Sequence, residues 1–314
     1  MSQKRIFVVG SANVDLVFAL ARLPREGETL TGGDLAVFPG GKGANQACAV
    51  ARLGGSAAMV ARVGEDAFGE RLIASLRDAG ADVTRVLRCA RPTGCACIYV
   101  LPDGENSIVI SPGANAALDP AGAVEGLADI REGDILLGQL ETPLETVEAA
   151  FAHAKRRGAL TILDPAPARP LPKALLVSID IVTPNQTEAA ILLDTPDAAI
   201  EADGDIVRAA DRIVALGPRA AILKLGDRGS LYSNGKQRER AAAFRVKAID
   251  TTAAGDVFNG ALAVALAEGA AISDALRFAS AAAAISVTRP GAQTSAPSRP
   301  EVEDMLAGAV SAPA

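Results

Sequence analysis

Short apolar runs alternate with amphipathic helical segments along most of this chain. The apolar runs have the length and branched content of buried strands and lie at 6–9, 57–61, 135–137, 160–163, 179–182 and 221–225. Between them, apolar residues recur at helical spacing over 44–53, 67–79, 144–157, 206–216, 256–267 and 273–287. This alternation predicts a single α/β domain over residues 1–314, with a doubly wound, mainly parallel sheet flanked by helices.

Two stretches interrupt the alternation because their strands have no helix between them. Residues 14–20 and 28–38 form one such pair, and 94–101 and 107–110 form the other, with an Asp103-Gly104 turn in its connection. We therefore predict a small antiparallel β lid within about 11–38 and 94–111. A sheet of this size needs a cover for its apolar face, which bound substrate or a second subunit would supply.

Charge and composition exclude several classes of function. With 31 Lys+Arg against 37 Asp+Glu, the net charge is -6, so no basic field is available for nucleic acid or an anionic membrane. The apolar run after the N-terminus is ended by Gly10, too early for a signal peptide or membrane span, and we expect a cytoplasmic protein. The chain's one histidine, His153, lies in a predicted basic helix, which argues against histidine-dependent hydrolases and metal centres.

A turn of small residues near the C-terminus precedes an apolar helix. It reads Asp250-Thr251-Thr252-Ala253-Ala254-Gly255-Asp256. Small side chains let backbone amides approach an anion, and a helix N-terminus adds positive potential. Asp256 would then lie in the first helical turn, where it could accept a proton from a substrate hydroxyl during phosphoryl transfer. The alternative is ordinary helix-start chemistry, which also favours an acidic first turn.

Three further polar motifs are each ambiguous alone. Gly40-Gly41-Lys42-Gly43-Ala44-Asn45-Gln46-Ala47 opens a helix but matches neither a Walker A loop nor a dinucleotide fingerprint, which leaves a loop able to bind hydroxyl groups. Asn13 and Asp15 follow the first strand, as either a diol-binding pair or a strand-end turn. Asn185 and Glu188 begin a helix, where they could face phosphate and metal-bound water or form a capping pair.

Together and in this order, the motifs resemble the ribokinase family of carbohydrate kinases, the pfkB type, over essentially the whole chain. Within it they are most similar to the ribokinases, including Gly113-Ala114-Asn115-Ala116, Gln139-Leu140-Glu141-Thr142-Pro143 and Asp164-Pro165-Ala166-Pro167-Ala168. The resemblance implies a ribokinase-like fold and transfer of the ATP γ-phosphate to the 5-hydroxyl of D-ribose, giving D-ribose 5-phosphate. It also implies that Asp256 is the base and that residues 253–255 (Ala253, Ala254 and Gly255) form the anion hole.

The same resemblance assigns the remaining site residues. The ribose pocket would comprise Asn13, Asp15, Gly41, Lys42, Asn45 and Glu141. The ATP site would comprise Asn185, Lys224, Gly226, Asp227, Gly229, Gly255 and Ser280, with Glu188 organising Mg²⁺ through water. An activating K⁺ would lie near Asp250, Thr252, Ser286, Arg289, Gly291 and Ser295, in part through backbone carbonyls. The lid would pair with a second lid in a homodimer.

Some positions depart from the commonest family pattern, and other functions stay open. Ala253 replaces a frequent glycine, Ser280 occupies a position near adenine where histidine is frequent, and Asp164 stands where asparagine is also seen. The nearest alternative is a deoxyribokinase or another pfkB-family sugar or nucleoside kinase. A binding protein that has lost catalysis is a second, and a nicotinamide-dependent oxidoreductase, which lacks its glycine fingerprint here, is a third.

Overall fold

The computed structural model describes residues 4–102, 105–196 and 199–311, and a large sheet runs through its centre. The strands of this main sheet are β1 (Arg5–Val9), β4 (Ser56–Gly64), β5 (Asp82–Cys89), β8 (Ile135–Gly138), β9 (Leu160–Leu163), β10 (Ile181–Val182), β11 (Ala220–Lys224), β12 (Ser230–Ser233) and β13 (Arg238–Ala241). Their order is β13-β12-β11-β10-β9-β8-β1-β4-β5, parallel from β11 to β5 and antiparallel at β12 and β13.

Alternate residues of each central strand enter two different apolar cores. In β1, Ile6 and Val8 join one core, whereas Phe7 and Val9 join the other. All four side chains are buried, as expected for a parallel sheet covered on both faces. The predicted doubly wound α/β class is confirmed.

Helices cover both faces of the main sheet. Their bounds are α1 (Lys42–Arg52), α2 (Ala67–Asp78), α3 (Pro120–Gly126), α4 (Leu144–Arg156), α5 (Lys173–Leu176), α6 (Gln186–Leu192), α7 (Asp203–Leu216), α8 (Ala254–Ala267), α9 (Ile272–Ser286) and α10 (Arg299–Ser311). The core that contains Ile6 also contains residues of α1, α2, α8 and α9, and the other core contains residues of α3 to α7. Gly260 of α8 packs closely on α1, since a Cβ there would lie 2.8 Å from the Ala49 Cβ.

The lid is a separate sheet of β2 (Asn13–Ala19), β3 (Ala36–Gly40), β6 (Gly94–Val100) and β7 (Asn106–Ser111). Both predicted hairpins are antiparallel, and the two hairpins join through a parallel β2–β6 pair. Strand β3 is shorter than the predicted 28–38 segment, because regular pairing begins only at Ala36. The predicted Asp103-Gly104 turn lies outside the described residues.

Candidate active site

Asp256 lies in the first turn of α8 and is 5% exposed. The helix begins after Ala253, which adopts left-handed backbone angles (φ 59°) and makes no side-chain capping bond. The Asp256 carboxylate instead accepts hydrogen bonds from α1: Asn45 Nδ2 is 3.0 Å from Oδ2, and Gln46 Nε2 is 3.0 Å from Oδ1. Asp256 is therefore held by a second helix, which ordinary helix-start chemistry does not require.

The electrostatic environment makes Asp256 a stronger base than an exposed carboxylate. Its pKa is raised to about 6, mainly by burial and also by the nearby Asp164 carboxylate. The Lys42 ammonium and the hydrogen bonds from the Asn45 and Gln46 amides oppose this rise. Near neutral pH this carboxylate is ionised and can accept a proton.

A cavity of about 950 Å³ opens beside Asp256. Every residue that the sequence assigned to ATP binding lines this cavity: Asn185, Lys224, Gly226, Asp227, Gly229, Gly255 and Ser280. The predicted anion-hole residues Ala253 and Ala254 also line it, where the first-turn amides of α8 have no partner within the helix. A cavity of this size, lined in part by backbone amides and lysine side chains, suits a nucleoside triphosphate.

Part of the cavity wall is apolar. Side chains on this wall include Phe244, Val246, Ala283, Ala284 and Val287. The sequence did not identify Phe244 or Val246, since they lie in an irregular segment between β13 and α8 with no recognisable motif. The wall could accept a flat apolar group such as a purine base.

Lys224 and Asp164 form an ion pair at the carboxyl ends of β11 and β9, the two parallel strands on either side of β10. Lys224 Nζ is 2.9 Å from Asp164 Oδ1, and both side chains are largely buried. Gly255 leaves room for the ammonium, since a Cβ at that position would lie 3.2 Å from Lys224 Nζ. Lys42 is a second cation in the cavity wall. Burial alone would lower the pKa of Lys42, but the carboxylates of Asp256, Asp164, Glu141 and Glu188 raise it, which keeps the ammonium charged.

Asn185 and Glu188 form a capping box at the start of α6. Glu188 N donates to Asn185 Oδ1 at 2.8 Å, and Asn185 N donates to Glu188 Oε2 at 2.7 Å. The structure therefore contains the capping pair, one of the two interpretations that the sequence left open. Both residues nevertheless line the cavity, and burial is the main reason that the pKa of Glu188 is raised. The other carboxylate oxygen of Glu188 is not used by the cap.

Most of the predicted sugar-binding residues lie outside the cavity lining, near the place where the lid joins the main sheet. Glu141 Oε2 accepts bonds from Ser11 Oγ and from the backbone N–H of Lys42 at 3.1 Å. Asp15 lies close enough to Glu141 and Asp256 to be affected by both carboxylates. Its pKa is raised to about 7 by burial and by these two groups, and Lys42 opposes the rise. The structure thus brings these carboxylates around Lys42.

A close backbone approach and a buried side-chain hydrogen bond shape this polar group. Gly41 has φ 87°, and a Cβ there would lie 2.6 Å from the backbone nitrogen of Asn13, so only glycine fits. The buried Asn13 Oδ1 accepts a bond from Asn115 Nδ2 at 2.6 Å. Asn115, Gln46 and Asp164 were not assigned individual roles from the sequence, although each lies inside a motif that carried the family resemblance.

The positions predicted to surround K⁺ lie on two segments that contact each other, the loop before α8 and the stretch that follows from Ser286, the last residue of α9. The Asp250 carboxylate accepts bonds from the Thr252 N–H at 2.9 Å and the Gly291 N–H at 2.8 Å, which lower its pKa against the effect of burial. The hydroxyls of Ser286 and Ser295 donate to nearby carbonyls of the chain, Ala283 and Ala292, both at 2.8 Å. The Arg289 guanidinium pairs with Glu301, so only the backbone of Arg289 is available to a cation.

Comparison with known proteins places the whole chain in one family. Residues 3–299 match the family model described as pfkB family carbohydrate kinase. The chain is 42% identical to a ribokinase from Haemophilus influenzae, covering 97% of this chain and 99% of the relative. It is 36% identical to a deoxyribokinase from Salmonella typhi, covering 96% and 98%.

A solved structure gives the same result at the level of the fold. The structure of Arabidopsis thaliana ribokinase complexed with ribose and ATP superposes with a TM-score of 0.90, at 36% identity, covering 98% of this chain and 99% of that one. The family match, the full-length relatives and the fold agree. This chain belongs to the pfkB family of carbohydrate kinases.

Proposed function

We propose that this kinase transfers the γ-phosphoryl group of ATP to the 5-hydroxyl of D-ribose, giving D-ribose 5-phosphate. One observation carries the proposal: the buried Asp256 carboxylate lines the large cavity and is also close enough to Asp15, which shares a polar group with Asn13 and Glu141, to affect the pKa of Asp15. A base in this position can act on a hydroxyl group bound at the polar group while a nucleotide occupies the cavity. The full-length similarity to ribokinases supports ribose as the sugar.

In the proposed reaction, Asp256 accepts the proton of the 5-hydroxyl as the hydroxyl oxygen bonds to the γ-phosphorus. The bond between that phosphorus and the β,γ-bridging oxygen breaks, and ADP leaves with the electron pair. Asn45 and Gln46 occupy one acceptor position on each carboxylate oxygen, which fixes the direction of the remaining lone pairs. Asn13, Asp15 and Glu141 would hold the other sugar hydroxyls.

Negative charge on the transferring phosphoryl group would be stabilised by backbone amides and by lysine side chains. The backbone amides of Ala253 and Gly255 would provide fixed donors at the start of α8, beside that of Ala254, which already donates to the Thr251 carbonyl at 3.3 Å. The ammonium groups of Lys42 and Lys224 lie on the same cavity wall. Fixed donors in a buried site need little reorganisation during the reaction, so they contribute mainly to phosphoryl transfer.

Carbohydrate kinases of this family use ATP together with Mg²⁺. The cavity residues fit this ion, because Glu188 has a carboxylate oxygen outside its capping box and Mg²⁺ prefers oxygen ligands and retained waters. Glu188 would hold the ion through water, beside Asn185. When bound, Mg²⁺ would neutralise part of the phosphate charge.

We also propose activation by K⁺ at the two loops around Asp250 and Gly291. The carboxylate of Asp250 ties these loops together, and the same turn continues into Ala253 and the anion hole. A cation held by carbonyls of these loops would fix the turn that aims the Gly255 amide. Potassium would therefore raise kcat more than it changes ATP affinity.

The lid supports a homodimer as the assembly. The strand pairings place Phe38, Ile108 and Ile110 on the lid face that carries Asp15. Each of these apolar side chains is more than a third exposed in the isolated subunit. A second lid would cover this surface and close the sugar site.

The four free cysteines and the need for ATP suit a cytoplasmic enzyme.

Parallel kinetics with ribose, 2-deoxyribose and fructose test the substrate. Deoxyribokinase is the second candidate, because a deoxyribokinase relative is similar over the full length. A site that hydrogen-bonds a hydroxyl discriminates strongly against the analogue that lacks it. We expect kcat/KM for ribose to exceed that for deoxyribose by about tenfold or more. A higher value for deoxyribose would contradict ribose as the substrate, and turnover of none of the sugars would favour a binding protein.

A further inference from the structure

Gln46 lies between the proposed base and a carboxylate on the nucleotide side of the site. Its Nε2 atom is 3.0 Å from Asp256 Oδ1 and 3.0 Å from Asp164 Oδ2. A side-chain amide carries two hydrogens on that nitrogen, so one can be donated to each carboxylate. Gln46 is fully buried, and the two carboxylates it joins come from α8 and from the end of β9.

A second glutamine fixes which way the Gln46 amide points. Gln139 Nε2 donates to Gln46 Oε1, and Gln139 is also fully buried. Rotating either amide by half a turn would bring like atoms together, oxygen against carboxylate or oxygen against oxygen. Among the described residues, Gln139 Oε1 has no hydrogen-bond partner. A buried acceptor without a partner costs stability, which argues that the orientation of this pair serves the site.

The surrounding glycine makes room for this arrangement. A Cβ on Gly10 would lie 2.0 Å from Gln139 Oε1, so any larger residue after β1 would displace the amide. The other oxygen of Asp164 binds Lys224, so the chain of contacts runs from Lys224 through Asp164 and Gln46 to Asp256. Two carboxylates that share one amide repel each other, and the amide hydrogens between them offset that repulsion.

We infer that Gln46, directed by Gln139, is a positioning residue that holds the Asp256 carboxylate toward the acceptor hydroxyl and couples it to the Lys224–Asp164 ion pair. This inference rests on the proposed role of Asp256 as the base. Gln46 touches neither substrate in this scheme and acts through Asp256. A glutamine that only filled the core would affect stability without changing how the base titrates.

The test replaces each amide by a side chain of similar volume, in Gln46→Met and Gln139→Met. Gln46→Met removes a donor from Asp256, so the carboxylate becomes harder to ionise. We expect the acidic limb of the kcat–pH profile with ribose and MgATP to move upward by about one pH unit. Maximal kcat should fall by about tenfold or more, because the base is no longer aligned. Gln139→Met should shift the limb in the same direction by less.

Thr161→Val is the matched control. Thr161 is also fully buried and donates to the Ser178 carbonyl at 2.7 Å, but it contacts Asp180 and not the site carboxylates. This variant should lose thermal stability while its pH profile stays that of the wild type. The comparison separates the loss of a buried hydrogen bond from a change in the base.

A folded Gln46→Met enzyme with the wild-type acidic limb and wild-type kcat would overturn the inference. If Gln46→Met does not fold, Gln139→Met decides, and an unshifted limb in that variant would overturn it equally. Asp256→Asn distinguishes this failure from failure of the proposed function. If Asp256→Asn turns over at the wild-type rate, Asp256 is not the base and the proposed function fails. If Asp256→Asn is inactive but the glutamine variants keep the wild-type acidic limb, only the positioning role of Gln46 is contradicted.

Discussion

Burial and hydrogen bonding act in opposite directions on the Asp256 carboxylate. Burial is the larger effect, and the net pKa is raised to about 6 although Lys42, Asn45 and Gln46 favour the ionised form. A base is most effective when its pKa lies near the working pH but leaves most of it ionised. The side chains around Asp256 therefore tune it for proton transfer close to neutrality.

This balance predicts the pH dependence of turnover. The base works only when ionised, so kcat should be nearly constant above pH 7 and fall by about tenfold per pH unit well below the pKa of about 6. Steady-state kinetics with ribose and saturating MgATP between pH 5 and about 8.5 would measure it. A kcat that stays constant down to pH 5 would mean that no group with the titration of Asp256 limits the reaction.

At the scale of single residues, the sequence could identify side chains that belong to local motifs. It could not identify contacts that form only when distant parts of the chain pack together. Asp256 is recognisable because it stands directly after Ala254-Gly255 at a helix start. Gln46 lies in a motif too, yet its contact with Asp164 joins residues 118 positions apart and depends on how α1 packs. Local spacing carries no information about such contacts.

Helix α1 contacts the site at both of its ends. Its first turn supplies Lys42, Asn45 and Gln46. At its last turn, Arg52 Nη1 donates to the carbonyls of Gln293 at 3.1 Å, Thr294 at 3.3 Å and Ala296 at 2.7 Å. These carbonyls flank Ser295 in the proposed K⁺ loop, so one helix joins the sugar side of the site to the cation side.

Arg52→Met should therefore weaken activation by K⁺. Without the guanidinium the loop loses three hydrogen bonds to a charged donor, each of appreciable strength. We expect the K⁺ concentration for half-maximal activation to rise by roughly threefold to tenfold, with kcat at saturating K⁺ largely kept. Arg219→Met, which removes a contact to Asp180 away from the site, is the control. The same K⁺ concentration for half-maximal activation in the wild type, Arg52→Met and Arg219→Met would contradict the role of Arg52.

Among the elements, the buried parallel strands and the long amphipathic helices were predicted most closely. Strands β5, β12 and β13 were missed. The edge strand β5 carries charged residues and the edge strand β13 is Arg238-Glu239-Arg240-Ala241, whereas β12 is an inner strand of only four residues, with a serine at each end. Edge strands need no apolar run, because one side and one face remain open to solvent. The helix α10 was missed for a similar reason: its sequence begins Arg299-Pro300-Glu301 and has no strong apolar stripe.

At the scale of the whole molecule, the main sheet and the lid are joined closely. Strands β1 and β2 follow each other along the chain, and Asn13 begins the lid at the point where the sugar residues gather. We propose that the chain folds as one domain with the lid as an extension. Within the described residues, no helix is both long and apolar enough to cross a membrane.

The lid surface predicts a dimer whose loss would impair the sugar site. Ile110 is 50% exposed and shares the lid face of Asp15. Ile110→Asp would place a charge in the proposed interface, so we expect a monomer and a raised KM for ribose. Sedimentation equilibrium of the wild type and the variant measures this. Val177→Asp, at a residue that is 52% exposed away from the lid, is the control. A wild-type monomer at micromolar concentration would contradict the dimer.

The most direct test of Asp256 as the base is single-turnover phosphoryl transfer from ATP to ribose by Asp256→Asn. Its folding can be checked independently. The pKa of Asp256 is raised above its ordinary value of 3.8, so the folded state binds more protons than the unfolded state between these values and loses stability as pH rises. Asn carries no such charge, and the variant should be at least as stable as the wild type at pH 8.

We expect Asp256→Asn to bind ATP with nearly wild-type affinity and to form ribose 5-phosphate at least about a thousandfold more slowly than the wild type. A folded variant that forms the product within about tenfold of the wild-type rate would contradict Asp256 as the base.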